Sequence, residues 1–340
     1  MAVLLPVLLV SCSSEASTRA ASGDAKATTT APPVTVPTSI PAGTSLRVGD
    51  QLDYLKTVLK VSGQDKDFDY KVDYSAFIGG PPMLQAFQGG ALDTGFVAST
   101  PLIFAQAAKQ NLVAVAGWAP DRGLGGLITE DKSIKGWADL KGKKVAYQRG
   151  TSAEAAVLQG LDSVGLTLSD ITTVDVPATQ INAALQGGSA DAGLSTEPLI
   201  SLYLTGRPNA RIAIVPKAIT DRASFLIATT DALKDAGKTA ALADYTTRLV
   251  KAFKWLKGHP DQLAEAVFVK QYGLPLERAK EIVKAGNGST KFFPIPGKIL
   301  APQQKLADLF AKAGEIPAQV DVTSEFDNRF NDLVKETQGS

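Results

Sequence analysis

The sequence predicts an α/β protein made of two similarly folded lobes, and two observations predict it. From Leu46 onward, short apolar stretches alternate with helical ones, the pattern of βαβ units around mostly parallel sheets. A segment also repeats: AFQGGALDTGF (Ala86 to Phe96) aligns without gaps on ALQGGSADAGL (Ala184 to Leu194), with six of eleven positions identical at an offset of 98 residues. Each copy reads as a helix stopped by a glycine pair, a tight turn, a short strand, and a loop that opens the next helix with a proline, Pro101 or Pro198.

Ahead of the lobes, residues 1–11 hold an apolar run from Val3 to Val10, too short to span a bilayer and read as a signal peptide. Leu9-Val10-Ser11-Cys12 looks like a bacterial lipobox, which implies cleavage before Cys12 and lipidation of its sulfur. Residues 1–11 contain no Lys or Arg, so a start upstream of Met1 is expected. Residues 12–44, rich in Ser, Thr, Ala and Pro, hold too few large apolar side chains to repay ordering and read as a tether.

In the folded part the strands are expected at Leu46–Gly49, Tyr70–Tyr74, Thr94–Val97, Leu112–Trp118, Gly126–Thr129, Lys144–Gln148, Thr172–Val176, Ala192–Leu194, Arg211–Val215 and Phe225–Thr229. Lys238 to Lys257 is an amphipathic helix, with Leu242, Tyr245, Leu249, Phe253 and Leu256 spaced by 3, 4, 4 and 3 residues. Further helices are expected at Pro260–Tyr272, Pro275–Ala285, Ala301–Ala313 and Ser324–Glu336, forming a tail that packs back on the first lobe.

Composition narrows the chemistry. In 340 residues, 35 Lys and Arg balance 34 Asp and Glu, so there is no basic field for a phosphate backbone and nucleic acid is not an expected partner. Cys12 is the only cysteine, which leaves the folded part no disulfide, thiolate metal site or thiol nucleophile. The only histidine, His259, stands in a Gly-His-Pro-Asp turn of the tail, a poor place for a general base. With no Cys/His metal set and no phosphate loop, neither an enzyme nor a cofactor is expected. Asn287-Gly288-Ser289 matches a glycosylation sequon that reads as coincidence behind a lipobox.

Ligands of open α/β sheets sit outside the carboxyl ends of the strands, at helix N-termini. The loops that qualify are Asp50–Tyr54, Ile78–Pro82 and Ala98–Pro101 in one lobe, and Arg149–Glu154, Ala178–Gln180 and Ser195–Pro198 in the other. Thr151 or Ser152 would cap the helix after Gly150, and Ser99-Thr100 forms a similar opening, so each pair is either an N-cap or a ligand contact.

The stretches FIGGPPMLQAFQGGALDTGFVASTPLIFAQAA (from Phe77), SIKGWADLKGKKVAYQRGTSAEAAVLQGL (from Ser133) and ALQGGSADAGLSTEP (from Ala184) resemble the aliphatic sulfonate, taurine and nitrate-binding proteins of ABC importers. The resemblance implies a type II periplasmic-binding-protein fold: two Rossmann-like lobes joined by two hinge crossovers near Ala119–Gly125 and Lys217–Ser224, with Gly123, Gly125 and Gly126 permitting movement. Lobe 1 would comprise residues 45–120 and 224–340, and lobe 2 residues 121–223. Family ligand loops map onto Asp50, Gln51, Gly80, Pro81, Ser99, Thr100, Thr151, Ser152 and Glu197.

The implied protein is a monomeric, lipid-anchored solute-binding protein on the extracytoplasmic face, delivering a small organic anion to an ABC permease. This chain reads Ala98-Ser99-Thr100-Pro101 where sulfonate binders usually read Gly-Asp-Thr-Pro, Thr196-Glu197-Pro198 where they read Trp-Asp-Pro, and Glu154 where they often carry His. The lost tryptophan changes the wall facing the ligand's tail. Asp50, Asp53, Glu154 and Glu197 would crowd the cleft with negative charge unless Arg122 or Arg149 compensates, which opens the alternative of a neutral or cationic heterocycle. An enzyme on the same fold is a remote third reading.

Overall fold

The computed structural model describes residues 35–120, 125–216, 223–286 and 290–339. The signal peptide, Cys12, Arg122, Gly123, the sequon and most of both crossovers lie outside the described residues.

The first sheet begins with β1 (Ser45–Gln51), α1 (Tyr54–Val61), β2 (Lys71–Phe77), α2 (Gly80–Gln88), β3 (Thr94–Ala98), α3 (Ser99–Ala107) and β4 (Leu112–Ala119). The chain then builds a second sheet from β5 (Gly125–Thr129), β6 (Lys144–Tyr147), α4 (Ser152–Asp162), β7 (Thr172–Asp175), α5 (Ile181–Gln186), β8 (Ala192–Thr196), α6 (Leu199–Leu204) and β9 (Arg211–Ile214). It returns with β10 (Ser224–Thr229), α7 (Thr230–Lys234), α8 (Ala236–Gly258), α9 (Pro260–Leu263), α10 (Leu276–Ala285), β11 (Lys291–Phe293), α11 (Leu300–Lys312) and α12 (Asn331–Gly339).

The two sheets share one strand order. The first runs β2-β1-β3-β10-β4-β11 and the second β7-β6-β8-β5-β9. In each, the strand that arrives directly from the other sheet, β10 or β5, fills the fourth place antiparallel to its neighbours. That exchange is why the chain passes between the sheets twice. The other main pairings, β1 with β2 and β3 and β6 with β7 and β8, are parallel, so their carboxyl ends share one edge.

Both faces of the first sheet are covered. Leu46, Val48, Leu55, Tyr245, Leu249, Phe253, Ile282 and Phe330 form the larger core, and Met83, Val97, Leu102 and Phe225 the opposite one. The spacing read in the long helix is its buried face: Leu242, Tyr245, Leu249, Phe253 and Leu256 are all buried. Around the second sheet, Val145, Tyr147, Val157 and Leu161 pack beneath α4.

The repeat is a structural repeat. Gly90 and Gly188 both take φ +69°, the left-handed turn that favours glycine. At Gly95 a side chain would meet the Gly49 carbonyl at 2.9 Å, and at Gly193 it would meet Ile181 at 2.5 Å, so both strands require glycine for close packing.

Ten expected strands are present with small shifts at their ends. Sequence patterning missed β11, three residues that pair with β4 and are followed at once by Pro294 and Pro296. The helix expected at Pro260–Tyr272 is a short α-turn continued as a π-helix over Ala264–Val269. The helix expected at Ser324–Glu336 is broken, because Phe326 bridges to Ala114 and the Asp327 carboxylate accepts from the Arg329 amide before α12 begins.

The tail also does more than cover the first lobe. Leu306 and Phe310 of α11 share a core with Ile103 of α3 and with Ala155 and Leu158 of α4, so α11 ties the two sheets' helices together. The end of the segment read as tether is docked as well: Val36 and Ile40 pack on the larger core, where they shed apolar surface to solvent.

Candidate functional site

A cavity of about 370 Å³ lies between the two sheets, lined by the loops that follow β1, β2, β3, β6, β7 and β8 and by Val267 to Tyr272, the end of the π-helix and the turn after it. It sits where parallel strands end and helices begin, the place that exposed backbone N–H groups make favourable for anions.

Five of the expected site residues line this cavity: Gln51, Gly80, Thr151, Ser152 and Glu197. Thr151 caps α4, its hydroxyl accepting from the Ala153 amide at 3.2 Å and donating to the Gln148 carbonyl at 2.7 Å. The amide of Gln51's side chain donates to the Phe96 carbonyl, holding the loop after β1 against β3. At Gly80 a β-carbon would approach the Pro101 ring at 2.5 Å, so glycine there lets α2 and α3 begin side by side. Pro81 meets the other lobe, since a β-carbon on Gly150 would be 3.3 Å from its ring.

Asp50, Ser99 and Thr100 stand behind the lining. The Asp50 carboxylate is fully buried and accepts from the amides of Leu55 and Lys56 at 3.0 and 2.9 Å, closing the start of α1; burial pushes its pKa up to about 6. Ser99 and Thr100 are 1% exposed and flank the lining residues Ala98 and Pro101. Neither hydroxyl has a hydrogen-bond partner, nor does that of Ser195, a lining residue only 3% exposed.

The expected crowding of carboxylates does not occur. Glu154 is fully buried at the first turn of α4, off the lining, with its carboxylate accepting from the Gly150 amide at 2.7 Å. Burial, reinforced by Glu315 nearby, raises its pKa to about 7, against the Gly150 amide and Arg149. Glu197 does face the cavity, but every one of its oxygens is engaged: Arg278 of α10 donates at 2.8 Å, and the Ser201 amide and hydroxyl donate at 3.1 and 2.7 Å. For Glu197 the compensating cation is Arg278, which sequence reading left in the tail. Arg149 compensates at Glu154, 3.6 Å from its carboxylate, and also pairs with Glu315.

Sequence reading also missed the aromatic wall. Tyr54, Phe96, Phe268 and Tyr272 line the cavity, and among the described residues no Lys, Arg or His does so. Nothing local marks Phe268 and Tyr272 as different from core residues of an amphipathic helix; only the fold brings them to the strand ends. His259 lies away from the cavity lining, stacked on Trp255 at 3.9 Å.

Comparison with known proteins fits this geometry. The NMT1/THI5-like family model matches residues 72–263, more than half of the chain. The chain belongs to the NMT1/THI5-like family. Among relatives of this NMT1/THI5-like chain, an aliphatic sulfonates-binding protein of Escherichia coli is 31% identical over 283 residues, covering 82% of this chain and 87% of the relative. Two solved structures superpose on the NMT1/THI5-like fold. The alkanesulfonate-binding protein of Xanthomonas axonopodis pv. citri, bound to MOPS, gives a TM-score of 0.74 at 25% identity and covers 85% of this chain and 99% of its own. The periplasmic aliphatic sulphonate-binding protein of Escherichia coli gives 0.71 at 29% identity, covering 84% and 92%. The two-sheet architecture is therefore the periplasmic-binding-protein fold, and these relatives are binding proteins.

Proposed function

We propose that this protein is the extracytoplasmic solute-binding component of an ABC importer, and that it captures an organic sulfonate or a similar monoanion between its two lobes. The observation that carries the reading is the polarity of the cavity. Among the described lining residues the one carboxylate is already neutralised by Arg278, and uncharged polar groups, the Ser195 hydroxyl and the start of α4 among them, are free. A monoanion finds donors and a helix N-terminus there. A cation finds no free carboxylate among the described lining residues, which weighs against a cationic heterocycle.

In this account lobe closure over the anion is what the permease recognises, the protein acts as a monomer, and Cys12 carries the lipid that keeps it at the membrane. Among the described residues no helix is long and apolar enough to cross a membrane.

A thermal-shift series with alkanesulfonates, taurine, nitrate and bicarbonate tests the reading, because a ligand that binds only the native state raises its melting temperature by mass action. A saturable rise with at least one sulfonate is expected; no rise with any of these anions overturns the assignment. Incorporation of labelled fatty acid into the protein, lost in Cys12→Ala, tests the anchor.

A further inference from the structure

Resting on the sulfonate reading above, we propose that the preferred ligand is an aromatic sulfonate, its ring held against the wall formed by Tyr54, Phe96 and Tyr272. Three observations carry this. First, the cavity is larger than a nitrate or a two-carbon sulfonate needs: about 370 Å³ falls within the ~300–1,000 Å³ of pockets that enclose drug-sized molecules. Second, on the cavity lining itself the second-sheet side offers an unpartnered hydroxyl at Ser195 and the start of α4 to hold a charged head, while the unpartnered Ser99 and Thr100 of the first sheet lie behind the lining. The first-sheet side and the return segment contribute mainly aromatic and aliphatic surface.

Third, the wall is aromatic. Tyr54 and Phe96 pack with ring centroids 6.1 Å apart, and Phe96 continues to Trp118 at 6.0 Å and Trp118 to Phe253 at 5.8 Å. These tilted ring pairs are well spaced for aromatic contact, and their inner members Trp118 and Phe253 are buried, which backs Tyr54 and Phe96 from behind. Tyr272, half-buried on the cavity lining, presents a second aromatic surface. An alkyl chain would use this surface only as apolar area. An aryl group would add ring–ring contact to it.

Calorimetric titration of the protein with naphthalene-2-sulfonate, benzenesulfonate, cyclohexanesulfonate and ethanesulfonate tests the proposal. Naphthalene-2-sulfonate is expected to bind at least about tenfold more tightly than ethanesulfonate, and benzenesulfonate about threefold or more over cyclohexanesulfonate, which matches its bulk without its π-system. Tyr272→Leu is expected to narrow the naphthalene-to-ethane ratio by about threefold to tenfold, and Tyr272→Phe to retain it. Ethanesulfonate or cyclohexanesulfonate binding as tightly as the aryl compounds overturns the aromatic preference and leaves the sulfonate reading standing. An unchanged ratio in Tyr272→Leu overturns the role of the wall. Absence of binding by all four removes the sulfonate reading itself.

Discussion

Asp93 and Asp191, 98 residues apart, make the same bond: the carboxylate of each accepts the backbone N–H of a residue early in the second strand of its own sheet, Arg47 at 2.9 Å and Lys144 at 2.7 Å. Each ties the turn after a Gly-Gly helix end to β1 or β6. The surroundings differ. Asp93 is buried and also holds Arg47 and Lys238, which keep its carboxylate below the ordinary value against the cost of its burial, whereas Asp191 is exposed. Asp93→Ala is therefore expected to cost about 2 kcal/mol, since it removes one backbone bond and two partly solvated ion pairs, and Asp191→Ala about 1 kcal/mol. Denaturant midpoints for the two variants check this; equal losses would contradict it.

Arg278 and Glu197 set the charge of the cavity. Arg278→Ala leaves an anion facing the ligand and is expected to weaken sulfonate binding about tenfold, less so at high salt. Glu197→Gln is expected to leave sulfonate affinity the same or higher. Titration calorimetry of both variants with a sulfonate reads the sign, and a loss of affinity in Glu197→Gln would contradict it.

Stability should fall as pH rises from about 5 to 8. Burial pushes Glu325 up to about 8, a single hydrogen bond from Gln303 only partly opposing it, and pushes Glu154 up to about 7. Both lie above the ordinary value of 4.5, so the folded state holds protons that the unfolded chain releases. Their contribution is fully present below about 4.5 and is lost as pH rises through 7 to 8, at up to about 1.4 kcal/mol per pH unit for each. Glu325→Gln should flatten that decline, which melting curves at pH 5.5 and 8.5 would reveal. A decline as steep as in the parent protein would rule Glu325 out as its source.

Gly80→Ala is expected to destabilise by about 1–3 kcal/mol, since the new methyl would press on the Pro101 ring at 2.5 Å and force α2 from α3. Thermal melting without ligand measures this. A variant of unchanged stability would mean that the close approach of the two helices is not required.

The alternation of strands and the repeat made most of the fold legible, because Gly90, Gly188, Asp93 and Asp191 are local devices that leave local signatures. The loops that frame the cavity were legible for the same reason: each follows a strand. Which side chain on a loop faces the ligand was less so. Asp50 and Ser99 sit beside lining residues and turn inward, a one-residue matter that loop position does not decide. Arg278 and Tyr272 come from sequence more than 70 residues beyond Glu197, brought there by the return of the chain to the first sheet. No spacing rule links them, and a buried face of an amphipathic helix looks the same whether it meets a core or a cavity.

A crystal structure of the protein grown with propanesulfonate tests the central claim most directly. The sulfonate oxygens are expected within hydrogen-bond reach of the Ser195 hydroxyl and the backbone amides at the start of α4, with the Arg278–Glu197 pair intact. A sulfonate found outside the cavity, or bound to Arg278 with that pair broken, would contradict it.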